Sequence, residues 1–183
     1  MDMVSRMTQD IYSRWTEWEN RQLGDPDLTR EMREIMGIGT NRMNICTVSR
    51  ASRGYAAYLK ESLEECRGSG RTKGIRVVIA YDSRLKSRDF ARISAEVFAA
   101  SGFQVYMFPE LAPTPMLSYA VRYLGCDGGV MITASHNPAQ YNGYKVYGPD
   151  GGQITGEAAK GISAKISQMD LFSDENKIGR AHV

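Results

Sequence analysis

Three short apolar runs, at residues 75–81, 103–108 and 128–134, alternate with two stretches of helical periodicity, and nothing else in this 183-residue chain restricts its fold as much. Apolar runs of that length, bounded by turn residues, read as buried strands. The first helical stretch, 88–100, turns Phe90, Ile93, Val97 and Phe98 inward and stops at Gly102. The second, 116–124, follows the stiff Pro113-Thr114-Pro115 loop. Strand–helix–strand–helix–strand is the order of right-handed crossovers, so it predicts a parallel sheet with helices on its faces. A fourth strand at 143–147 follows the third too closely for a crossover, which needs about a dozen residues, and is expected to run antiparallel. A closing helix within 154–169 carries Ile162 and Ile166 on one face. The expected fold class is α/β, a three-layer α/β/α domain with a mixed four-stranded sheet.

An N-terminal helical segment, 1–36, is expected to precede that domain. Val4, Met7, Ile11, Trp15 and Trp18 form one stripe of an amphipathic helix over 1–23. Gly24-Asp25-Pro26 breaks it, and a short second helix is expected to restart at Asp27 and reach Met36. The domain proper is expected over 37–170. It opens with a glycine-punctuated loop, 37–44, and a helix over 47–66 that presents Val48, Ala51, Tyr55, Leu59 and Leu63 before Gly68-Ser69-Gly70 ends it. Residues 171–183 are expected to be a disordered or artefactual tail.

Charge and composition exclude several classes of function. The net charge is +2, with Lys and Arg scattered among nearly as many acids, which argues against a nucleic-acid partner. No apolar run approaches the roughly 18 residues needed to span a bilayer, and residues 1–24 are too polar for a signal peptide, so no membrane association is expected. Cys46, Cys66 and Cys126 are odd in number and lack a C-x-x-C pair, which fits a reduced cytoplasmic protein. With only two histidines, a histidine-built zinc site is nearly excluded.

The chemistry concentrates where the third strand ends, at Thr133-Ala134-Ser135-His136-Asn137-Pro138. A buried strand delivers the Ser135 hydroxyl to a loop that Pro138 stiffens, and a cation, Lys145, follows ten residues on. A serine in such a turn is in most chains only a turn residue. Here two other polar loops, Asp82-Ser83-Arg84 and Pro113-Thr114-Pro115, share its sheet edge, and polar sites of parallel sheets collect at the carboxyl ends of the strands. In the 37–44 loop the glycines would let backbone N–H groups approach an anion, and Arg42 could add a fork of donors; taken alone, two glycines and an arginine read first as a plain turn.

The Thr133–Pro138 loop followed by Asn142-Gly143-Tyr144-Lys145, together with Gly39-Thr40-Asn41-Arg42-Met43-Asn44, Tyr81-Asp82-Ser83-Arg84 and Pro113-Thr114-Pro115, resembles the α-D-phosphohexomutases, the phosphoglucomutase/phosphomannomutase superfamily, over residues 37–169. Such enzymes have four domains, and this chain looks like the first. The resemblance implies a phosphoserine at Ser135 that interconverts glucose 1-phosphate and glucose 6-phosphate through a bisphosphate intermediate. It further implies Mg²⁺ bound to Ser135 through its phosphate, glucose 1,6-bisphosphate as activator, and a small hexose phosphate as partner. Lys145 would be a catalytic cation near the transferred group, acting as general acid/base or as an electrostatic clamp. His136, Asn137 and Arg42 are the candidate substrate-binding residues. His136 is not expected to pair with Ser135, because neighbours in extended chain point to opposite sides. Asn137 can touch ligand or close an Asx turn.

Two departures from the family pattern carry expectations of their own. The Phe-Gly-Thr-x-Gly-x-Arg type loop that members carry before the Arg-Met-Asn stretch is not visible, and Arg30 and Arg33, expected on a helix, do not replace its arginine. The Asp-Gly-Asp-Gly-Asp magnesium loop and the later domains are also not in this sequence. The chain alone is therefore expected to show no mutase activity and to depend on the missing domains of a parent enzyme. From Lys177 onward the sequence is expected to be disordered and foreign to the native gene. Mannose or pentose phosphate specificity, and an inert or merely phosphate-binding fragment, are the alternatives to a glucose phosphate enzyme.

Overall fold

The computed structural model describes residues 32–65 and 74–171. Five strands form one mixed sheet in the order β1-β5-β4-β2-β3. They are β1 (Met32–Ile35), β2 (Arg76–Tyr81), β3 (Gln104–Met107), β4 (Gly128–Ile132) and β5 (Tyr141–Tyr147). β2 pairs parallel to β3 and β4, whereas β5 runs antiparallel to β4 and β1 antiparallel to β5. The helices are α1 (Ile45–Glu65), α2 (Ser87–Ala100), α3 (Thr114–Tyr123) and α4 (Gly156–Gln168). No helix among the described residues is long and apolar enough to cross a membrane.

Side-chain alternation along the central strands separates two cores. Val77 and Ile79 of β2 and Val130 and Ile132 of β4 point to one face, where they meet Tyr55 of α1, Phe90 and Phe98 of α2 and Ile162 of α4. Val78 and Ala80 of β2 and Met131 of β4 point to the other, under Leu117 and Val121 of α3. Strands apolar on both faces are what a sheet covered on both sides requires. On the first face, α1 and α4 approach so closely that a Cβ on Gly54 would sit 2.7 Å from the Ile166 Cα, so only glycine fits there. The Arg50 guanidinium completes that contact by donating to the Ile166 and Ser167 carbonyls in the last turn of α4.

The three parallel strands, the antiparallel return and all four helices of the domain form where the periodicity places them. Residues 32–35 correct the reading of a helix running to Met36: they are an edge strand whose register sets Met32 against Tyr144 and Ile35 against Tyr141. Met, Arg and Glu favour helix locally, but the open edge of β5 offers a ladder of backbone hydrogen bonds that a helix of this length cannot match. The sheet therefore has five strands rather than four, and the end of the expected N-terminal helical segment is part of it. Arg33 lies on this strand opposite Gly143, so the helix that argued against it is not there. The amphipathic helix expected over 1–23 and most of the expected tail lie outside the described residues, though Leu171, assigned to that tail, is buried. Cys46 and Cys126 are free thiols; Cys66 is outside the described residues.

Candidate active site

β4 hands the chain to the serine loop through one more ladder bond, from the Thr133 N–H to the Gly143 carbonyl at 2.9 Å. The Thr133 hydroxyl then accepts the Ser135 N–H at 3.0 Å and starts the turn. Ser135 adopts φ +57°, the left-handed region that costs an ordinary residue about 1–2 kcal/mol, so the surroundings must impose it. Its side chain is exposed. The Asn137 N–H closes back on the Ala134 carbonyl at 3.1 Å, and the Tyr141 N–H on that of Pro138 at 3.0 Å.

Arg84, at the end of β2, grips this loop from behind. Its Nη1 donates to the Pro138 and Tyr141 carbonyls, both at 3.0 Å, and its Nη2 to those of Ser135 and Asn137, both at 2.6 Å. The remaining Nε faces Asp82 Oδ2 at 3.4 Å. Asp82 Oδ1 in turn accepts the Arg84 N–H and the Ser87 hydroxyl, which fixes the start of α2. Asn142 on β5, 0% exposed, donates to the Leu85 carbonyl at 3.1 Å and the Ser87 hydroxyl at 2.9 Å. A β2 loop, a helix start and a β5 side chain thus lock one loop conformation. An open cleft of about 430 Å³ lies between the two loops, lined by Asp82, Ser83, Arg84, Leu85, Ser135, Asn137 and Ala139.

Of the residues expected at the site, Ser135 and Asn137 line this cleft. His136 corrects an expectation: its Nδ1 lies 3.1 Å from Ser135 Oγ, within hydrogen-bond distance. The extended geometry that would have kept the two side chains apart does not apply, because the left-handed turn at Ser135 swings them to the same side. Lys145 sits on β5 opposite Met131, four residues before Ser135 on the neighbouring strand, and its burial depresses the ammonium pKa below the usual lysine value. Arg42 is exposed in the 37–43 loop and is not part of the cleft lining. That loop still reaches the serine loop, through the Met36 N–H on the Gln140 carbonyl at 2.9 Å. The Pro113-Thr114-Pro115 loop does not line the cleft with them.

Three organising residues escaped a reading by motif. Asn44 caps α1 by accepting the Cys46 and Thr47 N–H groups, while its amide donates to the carbonyls of Gly37, Gly39 and Arg42 and folds the glycine loop around itself. Arg84 and Asn142 are the other two. All three stand within the quoted motifs, but Arg84 and Asn142 reach partners more than fifty residues away and Asn44 folds a loop back on itself, and spacing carries no sign of either.

A hard divalent cation needs several oxygens from a preformed site. Among the described residues no three His, Cys, Asp or Glu side chains come together in a way that could hold a metal. The one carboxylate of the cleft, Asp82, is already bonded to Arg84 and Ser87. The described residues do not by themselves fit a Mg²⁺ site.

Residues 28–172 match the family model described as phosphoglucomutase/phosphomannomutase, alpha/beta/alpha domain I. The chain belongs to this family. A Schizosaccharomyces pombe relative named "Probable phosphoribomutase" is 46% identical over 140 residues, 76% of this chain and 23% of its own length. A phosphoglucomutase of Staphylococcus epidermidis is 40% identical over 166 residues, 89% of this chain and 29% of the relative. A solved structure of the same superfamily from Thermus thermophilus superposes with a TM-score of 0.65 at 36% identity, over 75% of this chain and 29% of that one. These phosphosugar mutase relatives are thus three to four times longer than the part of them that this chain spans.

Proposed function

We propose that the Ser135 loop is the phosphoryl-carrying site of a phosphoglucomutase, which interconverts glucose 1-phosphate and glucose 6-phosphate. The observation that carries the reading is a serine held in a left-handed conformation by a buried framework, with its hydroxyl exposed beside a cleft. In the forward half-reaction a sugar hydroxyl oxygen bonds to the phosphorus of phosphoserine 135 as the P–Oγ bond breaks, and the hydroxyl proton passes, in net terms, to Oγ. In the return half, Oγ takes the other phosphoryl group of the bisphosphate and the freed sugar oxygen recovers a proton. Glucose 1,6-bisphosphate primes the serine by that same return step. The protein's work in such a transfer is positioning and charge neutralisation more than covalent chemistry.

Lys145, whose burial favours the neutral amine, is the group we assign to this proton traffic, with its charged form serving as a clamp. His136 braces Oγ from its Nδ1, and Asn137 and Arg42 are the residues we assign to substrate. Mg²⁺ is the metal that would spread charge on the phosphate, with its other ligands supplied from outside the described residues. Free thiols at Cys46 and Cys126 support a cytoplasmic setting. The name of the Schizosaccharomyces pombe relative favours a pentose phosphate as the second reading.

The test is intact mass after incubation with glucose 1,6-bisphosphate or a pentose 1,5-bisphosphate. The expected result is a gain of one phosphoryl group, absent in Ser135→Ala and slower in Lys145→Met, with the faster donor naming the sugar class. No gain with either donor rejects the carrier reading and leaves an inert fragment, and an equal gain in Ser135→Ala rejects it by placing the phosphoryl group on another residue.

A further inference from the structure

We propose that Arg84 is a positioning residue for phosphoryl binding, acting by turning two peptide groups so that their N–H ends face the anion. The inference rests on the reading of Ser135 as the phosphoryl carrier. Of the four carbonyls that Arg84 holds, two belong to the 135–136 and 138–139 peptide bonds. No described peptide bond is cis, and in a trans peptide the C=O and N–H point in opposite directions. Drawing the Ser135 and Pro138 oxygens onto the guanidinium therefore forces the His136 and Ala139 N–H groups away from it, to the outer side of the loop. Among the described residues these two amides donate to no protein acceptor, unlike those of Ser135, Asn137 and Tyr141. Exposed, outward-turned N–H groups next to a hydroxyl are the donors that a phosphoryl group on that hydroxyl would use.

The same arrangement explains why this residue is an arginine. Four carbonyls spread over the loop need a planar fork of five N–H donors, and a lysine ammonium supplies three from one point. The Asp82 carboxylate on Nε fixes the rotation of the fork, so the guanidinium plane sets the loop rather than following it. His136 then contributes twice, through its amide and through its ring on Ser135 Oγ.

Titration of the labelled chain with inorganic phosphate, followed by amide NMR, tests this. In the native chain the His136 and Ala139 resonances are expected to shift most. In Arg84→Lys the apparent affinity should fall on the order of tenfold or more, the scale of one lost hydrogen bond to a charged group, while the β2 and β4 amides stay in place. A role limited to stabilising the fold would instead move the sheet amides and leave the loop's phosphate response intact. Should Arg84→Lys lose the fold, Asp82→Asn frees the fork while keeping the arginine, and the same two amides should lose part of their response. The proposal is overturned if phosphate shifts neither amide in the native chain, or if the folded variant responds as the native chain does. A chain that binds phosphate at these amides but takes none covalently from a sugar bisphosphate would reject the carrier reading and leave Arg84's role standing.

Discussion

Asn142 is fully buried on β5 and spends both amide hydrogens on the α2 start, at the Leu85 carbonyl and the Ser87 hydroxyl, while its Oδ1 accepts the Gly143 N–H at 2.8 Å. Truncation to alanine would remove three hydrogen bonds at once, leaving the buried Gly143 N–H without its acceptor and the buried Ser87 hydroxyl without its donor, and each unsatisfied group costs about 1–3 kcal/mol. Asn142→Ala is therefore expected to destabilise the chain by about 2–4 kcal/mol, read as a lower urea midpoint with an unchanged slope. Asn142→Asp, of the same size but with acceptors where donors are needed, should cost at least as much. At this scale the sequence was legible where chemistry follows residue type, as with Ser135 at the end of a buried strand. It was illegible where conformation decides. Nothing in Ser-His-Asn states that the serine is left-handed, and that single dihedral converts the expected separation of Ser135 and His136 into a 3.1 Å contact.

The elements divide in the same way. The helices that cover the sheet could be read from their periodicity because each buries a continuous stripe, as Phe90, Ile93, Val97 and Phe98 do on α2. β1 could not, because four residues carry too little pattern to outvote their helix propensity, and the reason they form a strand is the β5 edge more than a hundred residues away. That pairing places Glu34 opposite Asn142 and buries its carboxyl, whose pKa desolvation raises from the usual carboxylate range to about 7. Between the ordinary glutamate pKa and about 7 the folded chain then binds more protons than the unfolded one, so stability falls as pH rises through that window. Glu34→Gln should remove this slope, leaving the variant more stable than the native chain at pH 8 by on the order of 2 kcal/mol and nearly equal to it at pH 4. Thermal melts of both proteins across that range measure the difference, and parallel pH profiles would refute the assignment.

At the scale of the whole molecule, the described residues supply only part of what the phosphoryl transfer proposed for Ser135 would need. They present an exposed hydroxyl on a loop that an arginine clamps beyond the ends of β2 and β4, and a buried lysine on β5 opposite Met131. Reorienting a bisphosphate demands more: a second place for the sugar's other phosphate, and ligands to complete a metal site. The 430 Å³ cleft is open and has one carboxylate, already engaged by Arg84 and Ser87, and no described cluster of side chains could hold a metal. Binding energy far from the reacting centre is what holds an intermediate through such a turn, and an open cleft supplies little of it. The chain is accordingly expected to accept one phosphoryl group from glucose 1,6-bisphosphate and then stall. A coupled assay following glucose 6-phosphate from glucose 1-phosphate, run on chain already phosphorylated at Ser135, should show at most one turnover per molecule. Sustained turnover by the purified chain would mean that these residues suffice for the whole cycle, and that the bisphosphate can turn round without the wider enclosure its longer relatives have room to build.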